Sequence, residues 1–168
     1  MVQAVIKEII WLVILVLVQA LVLNRVHIMG YATPLPYIYL ILKFQAGSSR
    51  DANLIWAFCL GLLVDIFSNT PGLASASAVL LTMVQPFFLK LFSMKEDNAE
   101  TNPSAREMGN GAFMRYVITC VLFHHIVFYL LDSFSFFHWS DVLINIGGST
   151  IFTTLLIFAL EGLSSKKN

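Results

Sequence analysis

The chain has 168 residues, 58% of them hydrophobic and 12% charged, against roughly 45–50% and about 25% in soluble globular domains. Lys plus Arg total 10 and Asp plus Glu total 10, so no basic surplus exists to hold a nucleic acid. With 9 Gly, 5 Pro and 2 Cys, disorder, a collagen-like repeat and a disulfide scaffold are excluded too.

What remains is an all-α, polytopic membrane helical bundle. At about 20 residues per spanning helix, six spans take roughly 120 residues and leave about 48 for loops and ends. A single integral membrane domain over residues 1–168 is therefore expected. The first apolar run, residues 9–23, is broken only by Gln19 and flanked by Lys7, Glu8, Asn24 and Arg25. No small-x-small cleavage pattern follows Leu23, so the run reads as a first span rather than a secretory signal. The second, residues 31–44, contains Pro34 and Pro36, residues that suit a first helical turn but not a helix middle. It is the weakest span, and its loss would leave five.

A third segment, residues 54–67, carries Gly61 and Asp65 and is broken by Ser68-Asn69-Thr70-Pro71-Gly72. Thr70 before Pro71 reads as a helix start, with the hydroxyl accepting from a first-turn donor and proline at the first helical position. A fourth helix is expected from near Pro71 to about Phe92, and then residues 93–111, with Lys95, Glu96, Asp97, Glu100, Arg106 and Glu107, read as a solvated loop. Residues 113–131 and about 142–160 form the fifth and sixth segments. The short stretch between them holds Phe134, Phe136, Phe137 and Trp139, rings that fit an interfacial aromatic belt.

Orientation follows from where the basic residues fall. With six spans and an inside start, nine of the 10 Lys and Arg residues lie on one side and only Arg25 on the other. This places the 93–111 loop and the C-terminus in the cytoplasm. Five spans with an outside start exchange Lys7 for Arg25 and give the same split, so the side of the N-terminus stays open.

A carboxylate inside an apolar helix costs roughly 2.5–3.5 kcal/mol on insertion scales, which singles out Asp65. Ala57, Gly61 and Asp65 recur every fourth residue and share one helical face that a second backbone can approach closely. Asp65 either satisfies donors at the following helix start or serves as a proton- or ligand-coupled group. No intramembrane Lys or Arg stands in an obvious partner position, which favours the structural role. Gly72, Ala74 and Ala78 form one small-residue patch, and Gly147, Gly148, Ser149 and Thr150 a second; packing within the chain is expected for the first.

His124 and His125 are adjacent and point about 100° apart on a helix. Even with Asp132, His138 and Asp141 they make a poor metal set, so none is expected. Cys59 and Cys120 behave as small hydrophobes within apolar segments, and no disulfide is implied. No phosphate-cradling glycine loop, HExxH, GxSxG or CxxC occurs, so neither a catalytic site nor a cofactor site is expected.

The stretch Gly61-Leu62-Leu63-Val64-Asp65-Ile66-Phe67-Ser68-Asn69-Thr70-Pro71-Gly72-Leu73 resembles the signature of the MreD family of bacterial rod shape-determining membrane proteins. Length and hydrophobic layout are similar over nearly the whole chain, whereas the proline-bearing second segment and the long 93–111 loop depart from it. The resemblance implies a non-enzymatic component of the cell-elongation machinery in the inner (cytoplasmic) membrane. It also implies direct binding to MreC and, through it, association with RodA, a penicillin-binding transpeptidase and the MreB filament. The implied fold is similar to the six-helix S component of energy-coupling-factor transporters. Importance is carried over to Gly61, Asp65, Ser68, Thr70, Pro71 and Gly72 as an interaction or structural motif. The alternative is a vitamin-binding transporter subunit, with Phe134, Phe136 and Trp139 lining a pocket and Asp132, His138 and Asp141 supplying its polar groups. Against it, the first segment lacks an Ala-x-x-x-Ala face.

Overall fold

The computed structural model describes residues 14, 16, 18, 19, 33–45, 47–93, 102–133 and 139–165. Among these all regular structure is helical: α1 (Ile38–Leu42), α2 (Arg50–Ser68), α3 (Leu73–Phe92), α4 (Ala105–Met108), α5 (Asn110–Asp132) and α6 (Trp139–Ser165). Helices α2, α3, α5 and α6 are long and apolar enough to cross a membrane. At 1.5 Å per residue they extend about 28–40 Å, against a hydrocarbon core of about 30 Å.

The outer surface of the bundle is apolar, and its largely apolar core also holds a set of buried polar side chains. Ile55, Phe58, Leu62 and Ile66 form an exposed stripe along α2, and Met114, Ile118, Leu122, Ile126 and Leu130 form another along α5. Asp65, Ser75, Thr82, Gln85, His124, His125, Ser149, Thr153 and Glu161 are buried instead. Lipid tails solvate such apolar stripes and leave buried polar groups to find partners within the protein. Helix α3 is central, packing against α2 on one side and α5 on the other, and α5 packs in turn on α6.

Two ends are distinguished. At the first, which we term the turn end, α2 passes into α3, α5 finishes and α6 begins. At the second, the loop end, lie the start of α2, the end of α3, helix α4 and the end of α6. All five described basic residues, Lys43, Arg50, Lys90, Arg106 and Arg115, lie toward the loop end.

The second hydrophobic segment, expected as the weakest spanning helix, is not one: of its described residues only five, Ile38–Leu42, are helical. Its middle is nonetheless deeply buried, with Tyr37, Ile38 and Ile41 at 0% exposure. Thr33 meets Ser149, Leu35 meets Thr153 and Tyr39 meets Glu161. The segment thus runs parallel to α6 over 12 residues of that helix, about 18 Å of depth. Irregular backbone is tolerated at membrane depth only where protein covers it, and the bundle provides that cover.

Its prolines explain how the backbone is satisfied. Pro34 and Pro36 have no N–H, so between them only Leu35 has a donor to place. That donor reaches Thr153 Oγ1 at 2.9 Å, and the Thr33 N–H reaches Ser149 Oγ at 3.0 Å. The spacings agree: two extended residues advance about 6–7 Å, and four helical residues from Ser149 to Thr153 about 6 Å.

The 93–111 stretch is less uniformly solvated than expected. Pro103 is buried, its carbonyl accepts from Lys43 Nζ at 3.0 Å, and α4 carries a capping interaction. The Ser104 hydroxyl accepts from the Glu107 N–H, and the Glu107 carboxylate accepts from the N–H of Asn102, a variant of the Ser-x-x-Glu capping box. The first hydrophobic segment falls mostly outside the described residues, as do Phe134, Phe136, Phe137 and His138.

Candidate functional site

The most heavily bonded side chain at the turn end is Asp65, 3% exposed on the inner face of α2. Its Oδ1 accepts from the Ala74 N–H at 2.8 Å and the Thr70 hydroxyl at 3.0 Å, and its Oδ2 from the Ser75 N–H at 2.9 Å and the Ser75 hydroxyl at 2.7 Å. Ala74 and Ser75 are the second and third residues of α3, whose N-cap is Gly72. Glycine has no side chain with which to cap, so the carboxylate of the preceding helix takes that role. It satisfies two first-turn donors and meets the positive end of the helix dipole.

This geometry also corrects the reading of Thr70 and Pro71. Helix α3 begins at Leu73, not at Pro71, and the Thr70 hydroxyl donates to Asp65 rather than accepting from a first-turn amide. Residues Thr70 to Leu73 form a turn closed by the Leu73 N–H on the Thr70 carbonyl at 3.2 Å. Gly72 sits at φ 88°, ψ −12°. These are the angles of the third residue of a type II turn, where proline is favoured one position earlier and glycine avoids the steric cost of positive φ.

Gly61 sets how closely the helices approach. A Cβ built there would stand 2.4 Å from the Ser75 Cα and 2.7 Å from the Ala74 carbonyl oxygen, inside any tolerable contact. Ala57, Ala74 and Ala78, all at 0% exposure, continue this face. The first small-residue patch therefore packs within the chain. At Gly147, in the second patch, a Cβ would meet nothing within 4 Å.

Of the six motif residues, five thus serve one hairpin: Gly61 admits it, Asp65 clamps it, Thr70 supports the clamp, and Pro71 and Gly72 shape its turn. Ser68, half-buried at the end of α2, lines an adjacent cavity of about 290 Å³ together with Thr33, Thr70, Phe128, Tyr129 and Asp132. Asp141 lies in the first turn of α6, and Trp139 begins that helix at 52% exposure.

Sequence reasoning missed a buried polar layer deeper in the bundle. His125 Nδ1 stands 2.8 Å from the Val121 carbonyl, which can only accept, so this nitrogen carries the proton. Nε2 is then the acceptor for the Thr153 hydroxyl at 3.3 Å. Tyr37 and His124 pair at 3.0 Å between hydroxyl and Nε2. Gln85 donates to the Phe44 carbonyl and to the Tyr116 oxygen, while the Tyr116 hydroxyl donates to the Leu42 carbonyl. The two adjacent histidines therefore have separate partners. Among the described residues no group of three or more His, Cys, Asp or Glu side chains is placed to hold a metal ion.

At the loop end Glu161 pairs with Lys43 at 2.6 Å. It also accepts from the Tyr39 hydroxyl at 2.9 Å and, more weakly, from the Ala105 N–H at 3.4 Å. The ammonium lies over the rings of Tyr39 and Phe113, 5.4 and 5.5 Å from their centroids. Alternating prolines at 34 and 36 and the Ser149-x-x-x-Thr153 spacing were the available signals for this layer; nothing local links Lys43 to Glu161.

Comparison with family models, with curated proteins and with solved structures finds no match to this chain.

Proposed function

We propose that this chain is a non-enzymatic membrane scaffold of the bacterial cell-elongation machinery, of the MreD kind. It would bind MreC directly and, through it, act with RodA, the penicillin-binding transpeptidase and MreB to regulate peptidoglycan synthesis and cell shape. The observation that carries the reading is the α2–α3 hairpin. Five of the six residues on which the resemblance rests cooperate in one rigid unit, and that unit presents the exposed residues Phe67, Asn69, Pro71 and Gly72 at one end of the bundle.

The clustering of Lys43, Arg50, Lys90, Arg106 and Arg115 supports an inner-membrane protein with the loop end and C-terminus in the cytoplasm. The hairpin then faces outward, where a partner with an external domain reaches it. The depth covered by residues 33–44 supports counting that segment as a crossing, giving six crossings and a cytoplasmic N-terminus. External labelling of a tag at residue 1 would rule this topology out. Affinity purification from cells tests the function: MreC is expected with the chain, depletion is expected to round the cells, and recovery of a transport module in place of MreC would overturn the reading. Tight binding of a vitamin would support the transporter alternative instead.

A further inference from the structure

We infer that the turn-end cavity is a binding site for a small organic cation, a primary or quaternary ammonium group; this does not depend on the scaffold reading. At about 290 Å³ the cavity lies at the foot of the roughly 300–1,000 Å³ range of small-molecule sites, which suits a head-group-sized ligand. Its walls come from the last turns of α2, through Ser68, and of α5, through Phe128, Tyr129 and Asp132. Two helices thus direct their negative dipole ends toward one cavity. The positive N-terminus of α3 beside it is already satisfied by Asp65, and no Lys or Arg is among the described lining residues.

The individual groups agree with that field. Asp132 supplies a carboxylate with no ion pair among the described residues. Thr70 has given its hydroxyl proton to Asp65, which leaves its oxygen only an acceptor role toward the cavity. Phe128 and Tyr129 pack with ring centroids 5.6 Å apart and supply aromatic surface of the kind that holds ammonium groups. An anion would meet a carboxylate and two negative helix ends, and a neutral solute would gain nothing from either.

The test is calorimetric titration of the full-length protein in phosphatidylglycerol nanodiscs, with the signal of protein-free discs subtracted. Choline and ethanolamine are the cationic probes, and 3,3-dimethylbutanol is the neutral isostere of choline. Saturable binding of at least one cation is expected, weakened about tenfold or more for the isostere through loss of the charge and cation–π contributions. Asp132→Asn, at an exposed helix end, is expected to cost the same factor, whereas Asp51→Asn, at the loop end, leaves affinity unchanged. If adding phosphatidylethanolamine to the discs competes with free ethanolamine, the natural source is a lipid head group; if it does not, the source is a soluble amine. Equal affinity for choline and its isostere, no saturable cation binding, or unchanged affinity in Asp132→Asn would each overturn the assignment.

Discussion

Asp65 and Glu161 are both buried carboxylates in an apolar helical bundle, at 3% and 9% exposure, and they are accommodated by different means. Asp65 is held by neutral groups alone, two backbone amides and two hydroxyls, all from residues 5 to 10 positions away in the chain. Glu161 is held by an ammonium, a hydroxyl and an amide that come from 56 to 122 positions away. The first is a local clamp that joins two consecutive helices; the second ties together α6, the broken second segment and the residues preceding α5. A cation thus neutralises the Glu161 carboxylate, whereas neutral donors alone meet that of Asp65.

Removing each clamp in turn probes that contrast, and the effects are expected to fall in order. Asp65→Ala leaves the Ala74 and Ser75 amides buried without acceptors, each a loss of about 1–3 kcal/mol, so destabilisation of roughly 3–5 kcal/mol is expected in thermal unfolding of the purified protein. Gly61→Val is expected to be comparable, since the clash is with backbone that cannot give. Glu161→Ala is expected to cost less, about 1–3 kcal/mol, because Lys43 keeps 30% side-chain exposure and can turn to water. A Lys43→Met, Glu161→Leu double variant should recover most of that loss, whereas no single apolar replacement recovers Asp65. Thr153→Val, which strands the Leu35 N–H, is expected to cost about 1–2 kcal/mol. Gly147→Ala is expected to leave stability unchanged or slightly raised, because nothing stands within 4 Å of the added methyl and alanine is the better helix former by roughly 0.5–1 kcal/mol.

The same contrast explains what the sequence made legible. Apolar runs, the four-residue spacing of Ala57, Gly61 and Asp65, and the Pro71-Gly72 turn are local signals. They led to the long helices α2, α3, α5 and α6 and to a structural role for Asp65 at the next helix start. The detail at Thr70 was missed because a hydroxyl can donate as well as accept, and the nearby carboxylate is the stronger acceptor. Pro86 lies inside α3 without ending it, as proline often does in membrane helices, where neighbours satisfy the freed backbone. The path of residues 33–44 and the Lys43–Glu161 pair depend on contacts across the whole bundle, and no spacing rule along the chain carries them.

We propose that a partner requires the Asp65 hairpin itself, beyond its share in holding the bundle together. The direct measurement compares Asp65→Ala with Glu161→Ala, and with Gly61→Val as a second disruption of the hairpin, at matched membrane levels and at a temperature where all remain folded, recording MreC recovered in affinity purification. Both hairpin variants are expected to lose MreC while Glu161→Ala retains it. Equal recovery by Asp65→Ala, Gly61→Val and Glu161→Ala would contradict it.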